Sequence, residues 1–255
     1  MGKLFSNMKT DDLVEAEDRI GGGRYLFPTD VYEARIKMLF VGKSDGGANY
    51  ATIIADIGGK EYEETIYFTN SSGEHFYKSK DDGKKNQMPG FVTVNELCLV
   101  ASGSELMDQE FEERQIEVWS YEDKKKVRQA RDVAVDMLDK EVLLAIRQAT
   151  KPKTKKTDKT DSRGKPIYEE TAEDIGLNEI VKSFHAETGA TVGEIRKAQK
   201  DDKPIEASFK DEWVKKWKGT IQDQRKGAKP SGGSDGAPKS SGADTKPKTS
   251  LFGKS

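Results

Sequence analysis

The side chains of this sequence that could grip a polyanion fall in a few places. Arg35 and Lys37 alternate with apolar residues along one segment, and Tyr50 and Tyr67 stand in the two segments that follow. Phe76, Tyr77 and Lys78 then open a polar excursion that continues through Lys80, Lys84 and Lys85. Further on, Lys151, Lys153, Lys155, Lys156 and Lys159 make a dense basic run. Cations neutralise phosphates and aromatic faces stack bases, each stacked base being worth about 1–3 kcal/mol, so interleaved aromatics and cations suit a single nucleic-acid strand. The bland reading of the same residues is β-propensity and solubility, with Phe76 packed beneath its own loop.

Other chemistry finds less to work with. One cysteine, Cys98, and two histidines, His75 and His185, are too few for a disulfide framework or a Cys/His zinc site. Gly42-Lys43-Ser44 and Gly253-Lys254-Ser255 both miss the phosphate-loop pattern, because Lys37 and Lys248 occupy the place of its first glycine. Cys98 falls on the apolar side of a short predicted helix, where a thiol is inert. Glu105, Asp108, Glu110, Glu112, Glu113 and Glu117 have no histidine or basic partner at a set spacing and read as a solvated acidic face. The expectation is therefore no catalytic residue, no metal and no cofactor.

The elements that must carry the polyanion-gripping residues are mostly strands. Val31 to Val41 alternates with period two, with Tyr32, Ala34, Ile36, Met38 and Phe40 inward and Glu33, Arg35 and Lys37 outward. Asn49 to Ile57 and Lys60 to Thr69 continue it as a meander, turned at Gly58-Gly59, with Tyr50 and Tyr67 outward. Thr93 to Glu96 reads as a capping box opening a helix over Val94 to Ala101. Residues 104 to 113 read as irregular, 116 to 121 as a fourth strand, Val133 to Leu138 as a brief amphipathic stretch and Glu141 to Thr150 as a fifth strand. Three strands, a helix and two strands match a five-stranded OB-like barrel with the helix between strands three and four; an irregular sandwich fits the same inventory.

Outside that barrel, assigned to 24–150, lies a flexible arm over 1–23, which ends in three glycines. A basic hairpin and helical extension occupy 151–224, turning at Asp161-Ser162-Arg163-Gly164. Its predicted helices cover Asn178 to His185, a stretch opened by the capping box Thr191 to Glu194, and Phe209 to about Asp223 with Ser208 as N-cap. In the last helix Phe209, Trp213, Trp217 and Ile221 recur every four residues, a stripe that packs on the barrel or faces a partner. Residues 225–255 are Gly/Ser/Pro/Lys-rich, predicted disordered, with Leu251 and Phe252 as a short hydrophobic anchor.

At 255 residues with 35% charged side chains, the chain has room for one ordinary core and much solvated material. Its net charge of −2 hides a split: residues 1–150 carry −8 and the rest +6. No apolar run reaches membrane-spanning length.

Several of these stretches carry a resemblance. Gly21-Gly22-Gly23 before Thr29-Asp30-Val31-Tyr32 and Ile36-Lys37, the segment Glu64 to Asn70, Lys84-Lys85-Asn86, Pro89-Gly90-Phe91, Glu96 to Leu99, and Phe184 to Gly189 together resemble single-stranded DNA-binding proteins of tailed bacteriophages. The resemblance spans about residues 21–212. It implies an OB-type fold, sequence-tolerant binding of single-stranded DNA, service to phage replication, recombination or transcription, and the host-cell cytoplasm as location. A transcription cofactor that joins single-stranded DNA to a phage or host RNA polymerase is the alternative, with Trp213, Trp217, Leu251 and Phe252 as partner-facing residues. The acidic tail with a terminal aromatic, common among replicative single-strand binders, is replaced here by a basic one, so competition by the tail for DNA is not expected.

Overall fold

The computed structural model describes residues 25–79, 83–120, 125–160, 164 and 166–225. Its ten strands are β1 (Asp30–Lys43), β2 (Asn49–Ile57), β3 (Lys60–Tyr67), β4 (Phe76–Lys78), β5 (Lys85–Gln87), β6 (Phe111–Ser120), β7 (Lys125–Ala134), β8 (Glu141–Thr160), β9 (Pro166–His185) and β10 (Ile221–Asp223). Three α-helices accompany them among the described residues: α1 (Pro89–Ser102), α2 (Val192–Asp201) and α3 (Phe209–Trp217).

The meander forms as its alternation predicts. Gly58 and Gly59 both take positive φ, which a tight two-residue hairpin turn requires. Strand order runs β3-β2-β1-β8-β9, every neighbour antiparallel, with β10 added in parallel beside β8. Ile36 and Leu39 of β1, Ile53 of β2, Leu144 and Ile146 of β8 and Leu97 of α1 are fully buried in one core. At the far edges β3 and β9 approach through a side chain, Ile180 N–H donating to Glu64 Oε2 at 2.7 Å. Among the described residues no strand ladder joins them, so this mainly antiparallel sheet is open there.

Several expectations are corrected. A β-bulge at Lys37 puts two residues of β1 against one of β2: Ile36 faces Ala55, and Met38 faces Ile54. Beyond it every side chain changes face, so Leu39 enters the main core while Met38 and Phe40 turn outward. There Phe40 is covered by Ile116 and Val133 of the β6–β7 hairpin.

The stretch expected to be irregular holds a short 3-10 turn, Leu106–Asp108, and the start of β6. Val133 to Leu138 is the end of β7 and a second 3-10 turn. Residues 178–185 are the end of β9, not a helix. Helix α1 starts at Pro89, whose missing N–H suits the first turn. Thr93 lies inside it and donates its hydroxyl to Pro89 O, so Thr93 to Glu96 caps nothing. Helix α3 stops at Trp217, and Ile221–Asp223 is a strand.

The second capping box is present. Thr191 and Glu194 exchange both hydrogen bonds at the start of α2. Ser208 supplies no side-chain cap to α3; its N–H and that of Phe209 donate to Glu194 Oε1, each at 2.8 Å. Strand β8 runs unbroken through position 150, where the sequence reading set a boundary, and β9 returns alongside it to place His185 opposite Val142. The 161–163 turn, the 1–23 arm, and Leu251 and Phe252 of the tail lie outside the described residues.

Candidate nucleic-acid interface

Tyr50 and Tyr67 stand directly opposite each other in the β2–β3 ladder on the outer face of the sheet. Their rings meet edge to face, centroids 5.8 Å apart, and Tyr67 is half exposed. Both are held by glycines. A Cβ on Gly42, the ladder neighbour of Tyr50 on the other side, would sit 2.5 Å from the Tyr50 hydroxyl, so that ring lies across bare backbone. A Cβ on Gly90 would stand 2.0 Å from Tyr67 O, so the second residue of α1 packs straight onto the end of β3. The next row of the same face is Thr52 against Thr65, joined through their hydroxyls at 2.9 Å.

The polar excursion rises from the same end. Among its described residues β4 and β5 form a small hairpin, with Phe76 opposite Gln87, Tyr77 opposite Asn86 and Lys78 opposite Lys85. The ring of His75 packs on Phe91 of α1 at 4.7 Å and edge-on against Phe76 at 5.6 Å. Lys85 Nζ lies 4.2 Å above the Phe76 ring. Phe76 is thus half-buried and serves to seat the hairpin, while Tyr77 is half exposed with Lys78 beside it. On the other side Gly47, at φ +87°, brings the β1–β2 turn against Ser71 O.

The remaining expected cations are placed elsewhere. Arg35 is in register with Asp56, six residues along β2 from Tyr50, or about 20 Å at the usual strand rise. Its guanidinium meets Glu141 at 3.4 Å, and Lys37 Nζ meets Asp56 at 3.4 Å. The Gly59 N–H, and then Lys37, hold the Asp56 carboxyl below the usual carboxylate range. Glu61 and Glu63 occupy the same end of that face, which is therefore acidic and self-paired. Lys151, Lys153, Lys155 and Lys156 lie on the outer half of β8, Lys151 opposite Ile175 and Lys156 opposite Tyr168 of β9, the other two beside its carboxylates. Lys153 meets Glu173 at 3.0 Å, and Lys155 is in register with Glu169.

Two residues outside the sequence-predicted set, an aromatic and a cation, stand on the hairpin that covers part of this face. The β6–β7 hairpin lies over Met38, Phe40, Tyr50 and Ile54 with one face. Its other face exposes Trp119 directly opposite Lys126. The alternation of Ile116 and Val118 against Glu117 and Trp119 was the available signal.

The aromatic stripe of α3 turns inward. Trp213 is buried with Ala145 and Phe184, and Phe209 and Trp217 pack around them, so Trp213 supports the sheet while Trp217 stays half-buried beside it. Cys98 is fully buried, and burial pushes its thiol up to about 12. Among the described residues no group of His, Cys, Asp and Glu is placed to hold a metal, and no helix is long and apolar enough to cross a membrane. The chain matches no family model, no curated protein and no solved structure.

Proposed function

We propose that this protein is a non-enzymatic single-stranded DNA-binding protein of a tailed phage, acting in the host cytoplasm to coat DNA with low sequence preference during replication, recombination or transcription. The observation that carries the reading is the Tyr50–Tyr67 pair on the outer sheet face, half exposed at Tyr67, with the Tyr77–Lys78 hairpin rising from the same end of β3. Aromatic faces set in a row stack successive bases whatever their identity, and nearby cations hold the backbone.

The strand order β3-β2-β1-β8-β9, with α1 crossing between the third and fourth of these strands in sequence, supports an OB-like architecture. Its sequence-tolerant ligand face is centred on the second and third strands. The β6–β7 hairpin is then an insertion, and the barrel seam runs between β3 and β9. The polymerase-linking alternative is left with Trp217 of α3, since Trp213 is buried.

Tyr67 is half exposed on the sheet face, so binding there is read from the protein's intrinsic fluorescence. Titration with oligo-dT is expected to quench it and duplex DNA of equal length to have little effect. Equal response to both, or none to either, would sink the reading. Tyr67→Ala should weaken oligo-dT binding by about 1–3 kcal/mol.

A further inference from the structure

Beyond Thr150 and Gly176, β8 and β9 leave the rest of the sheet as a two-stranded ribbon. The edge of β8 that β10 covers as far as Thr150 carries no strand from Lys151 onward, and neither does the outer edge of β9, among the described residues. Apart from half-buried Pro152, Thr157 and Thr171, the ribbon's described side chains from 151 to 174 are exposed. A hairpin with neither face covered is marginally stable alone. An open edge presents a row of N–H and C=O groups to any strand that fits.

Charge selects which strand fits. From Lys151 to Thr160, β8 carries five lysines and one aspartate; from Pro166 to Ile175, β9 carries Glu169, Glu170, Glu173 and Asp174 and no cation. Two β8 edges brought together would set lysine against lysine, and two β9 edges carboxylate against carboxylate, both destabilising. Only β8 against the β9 of another copy continues the alternation of basic and acidic strands that Lys153–Glu173 and Lys159–Glu169 establish inside the ribbon. Ile167, Tyr168 and Ile175, exposed on β9, add apolar contact to that pairing.

We propose that the protein self-associates head to tail, the lysine edge of β8 in one copy pairing with the carboxylate edge of β9 in the next. Such a contact uses a different surface on each partner, so every added copy leaves one edge of each kind open and growth does not stop at a dimer. The inference does not depend on the DNA reading, because it is tested without nucleic acid.

Sedimentation equilibrium of the full chain at low salt should give a mass that rises with concentration past two chains and falls as salt is added. Lys155→Glu/Lys156→Glu and Glu169→Lys/Glu170→Lys should each sediment as single chains, and an equimolar mixture of the two should associate. The fourfold swap in one chain restores the ribbon's internal pairs and should associate like the native protein, which separates lost pairing from lost folding. A native chain that stays monomeric, a mass that levels off at two, or a fourfold variant that remains monomeric would overturn the proposal. So would self-association that survives Lys155→Glu/Lys156→Glu.

Discussion

Gly42 decides where the Tyr50 ring can lie, and a methyl group there would push the ring off the backbone it covers. Its φ is not in the left-handed region, so alanine is tolerated by the chain itself. Gly42→Ala is therefore expected to leave the fold in place and weaken oligo-dT binding by up to about 1–3 kcal/mol, the worth of one stack. A thermal melt beside the fluorescence titration checks both halves, and unchanged affinity would remove Tyr50 from the site. At this scale the sequence was legible where alternation is unbroken: Tyr50 and Tyr67 face outward as their spacing requires. It misled after Lys37, because the residue pattern from Val31 to Val41 is apolar often enough to fit either parity, and only the pairing with β2 reveals the bulge. The cations were legible as residue types but not as free charges. The carboxylates that engage Arg35 and Lys153 come from positions 141 and 173, far along the chain.

Among the elements, α2 and α3 depend on one carboxylate. Burial raises the affinity of Glu194 for a proton, but the backbone N–H groups of Thr191, Phe209 and Ser208 together outweigh it and hold the carboxyl below its ordinary value. A carboxyl with a depressed folded-state pKa contributes stability that is present above its unfolded value and is lost as pH falls through the folded one. Native Glu194 should therefore make the protein less stable on the acid side. Glu194→Gln should lower the melting midpoint at neutral pH and shrink that acid-side loss; melts from pH 7 to pH 3 that run parallel for the two proteins would refute the assignment. Sequence showed this box plainly, since both members lie within four residues. It failed for β9, where Ile180, Val181 and Phe184 are spaced as on a helix. Pairing with β8, including a bulge at Ala145–Ile146, overrides that local pattern. It failed for β7 because Lys125, Lys126, Arg128, Gln129 and Arg131 put polar residues on both faces of much of the strand, leaving no period to read.

For the whole molecule, the near-zero net charge is built from neighbours of opposite sign rather than from separated domains. Strand β6 is acidic beside basic β7, and the basic half of β8 lies beside the acidic half of β9. A strand of DNA that lies on Tyr50 and Tyr67 thus meets few uncommitted cations, and its grip rests on stacking more than on counterion release. Each neutralised phosphate of a single strand contributes about −0.7 to the slope of log affinity against log salt. With Lys43 at the adjoining end of β1 and Lys78 and Lys85 on the β4–β5 hairpin as the cations toward that end of the face, the expected slope for oligo-dT is about −2. Were the lysines of β8 also to grip the backbone, five further contacts would steepen it to roughly −5 or −6. Titration between 50 and 300 mM salt distinguishes the two. A steep slope would move the DNA interface from the sheet face to the ribbon, and sedimentation of the DNA-free protein then tests separately whether the same edge joins copies.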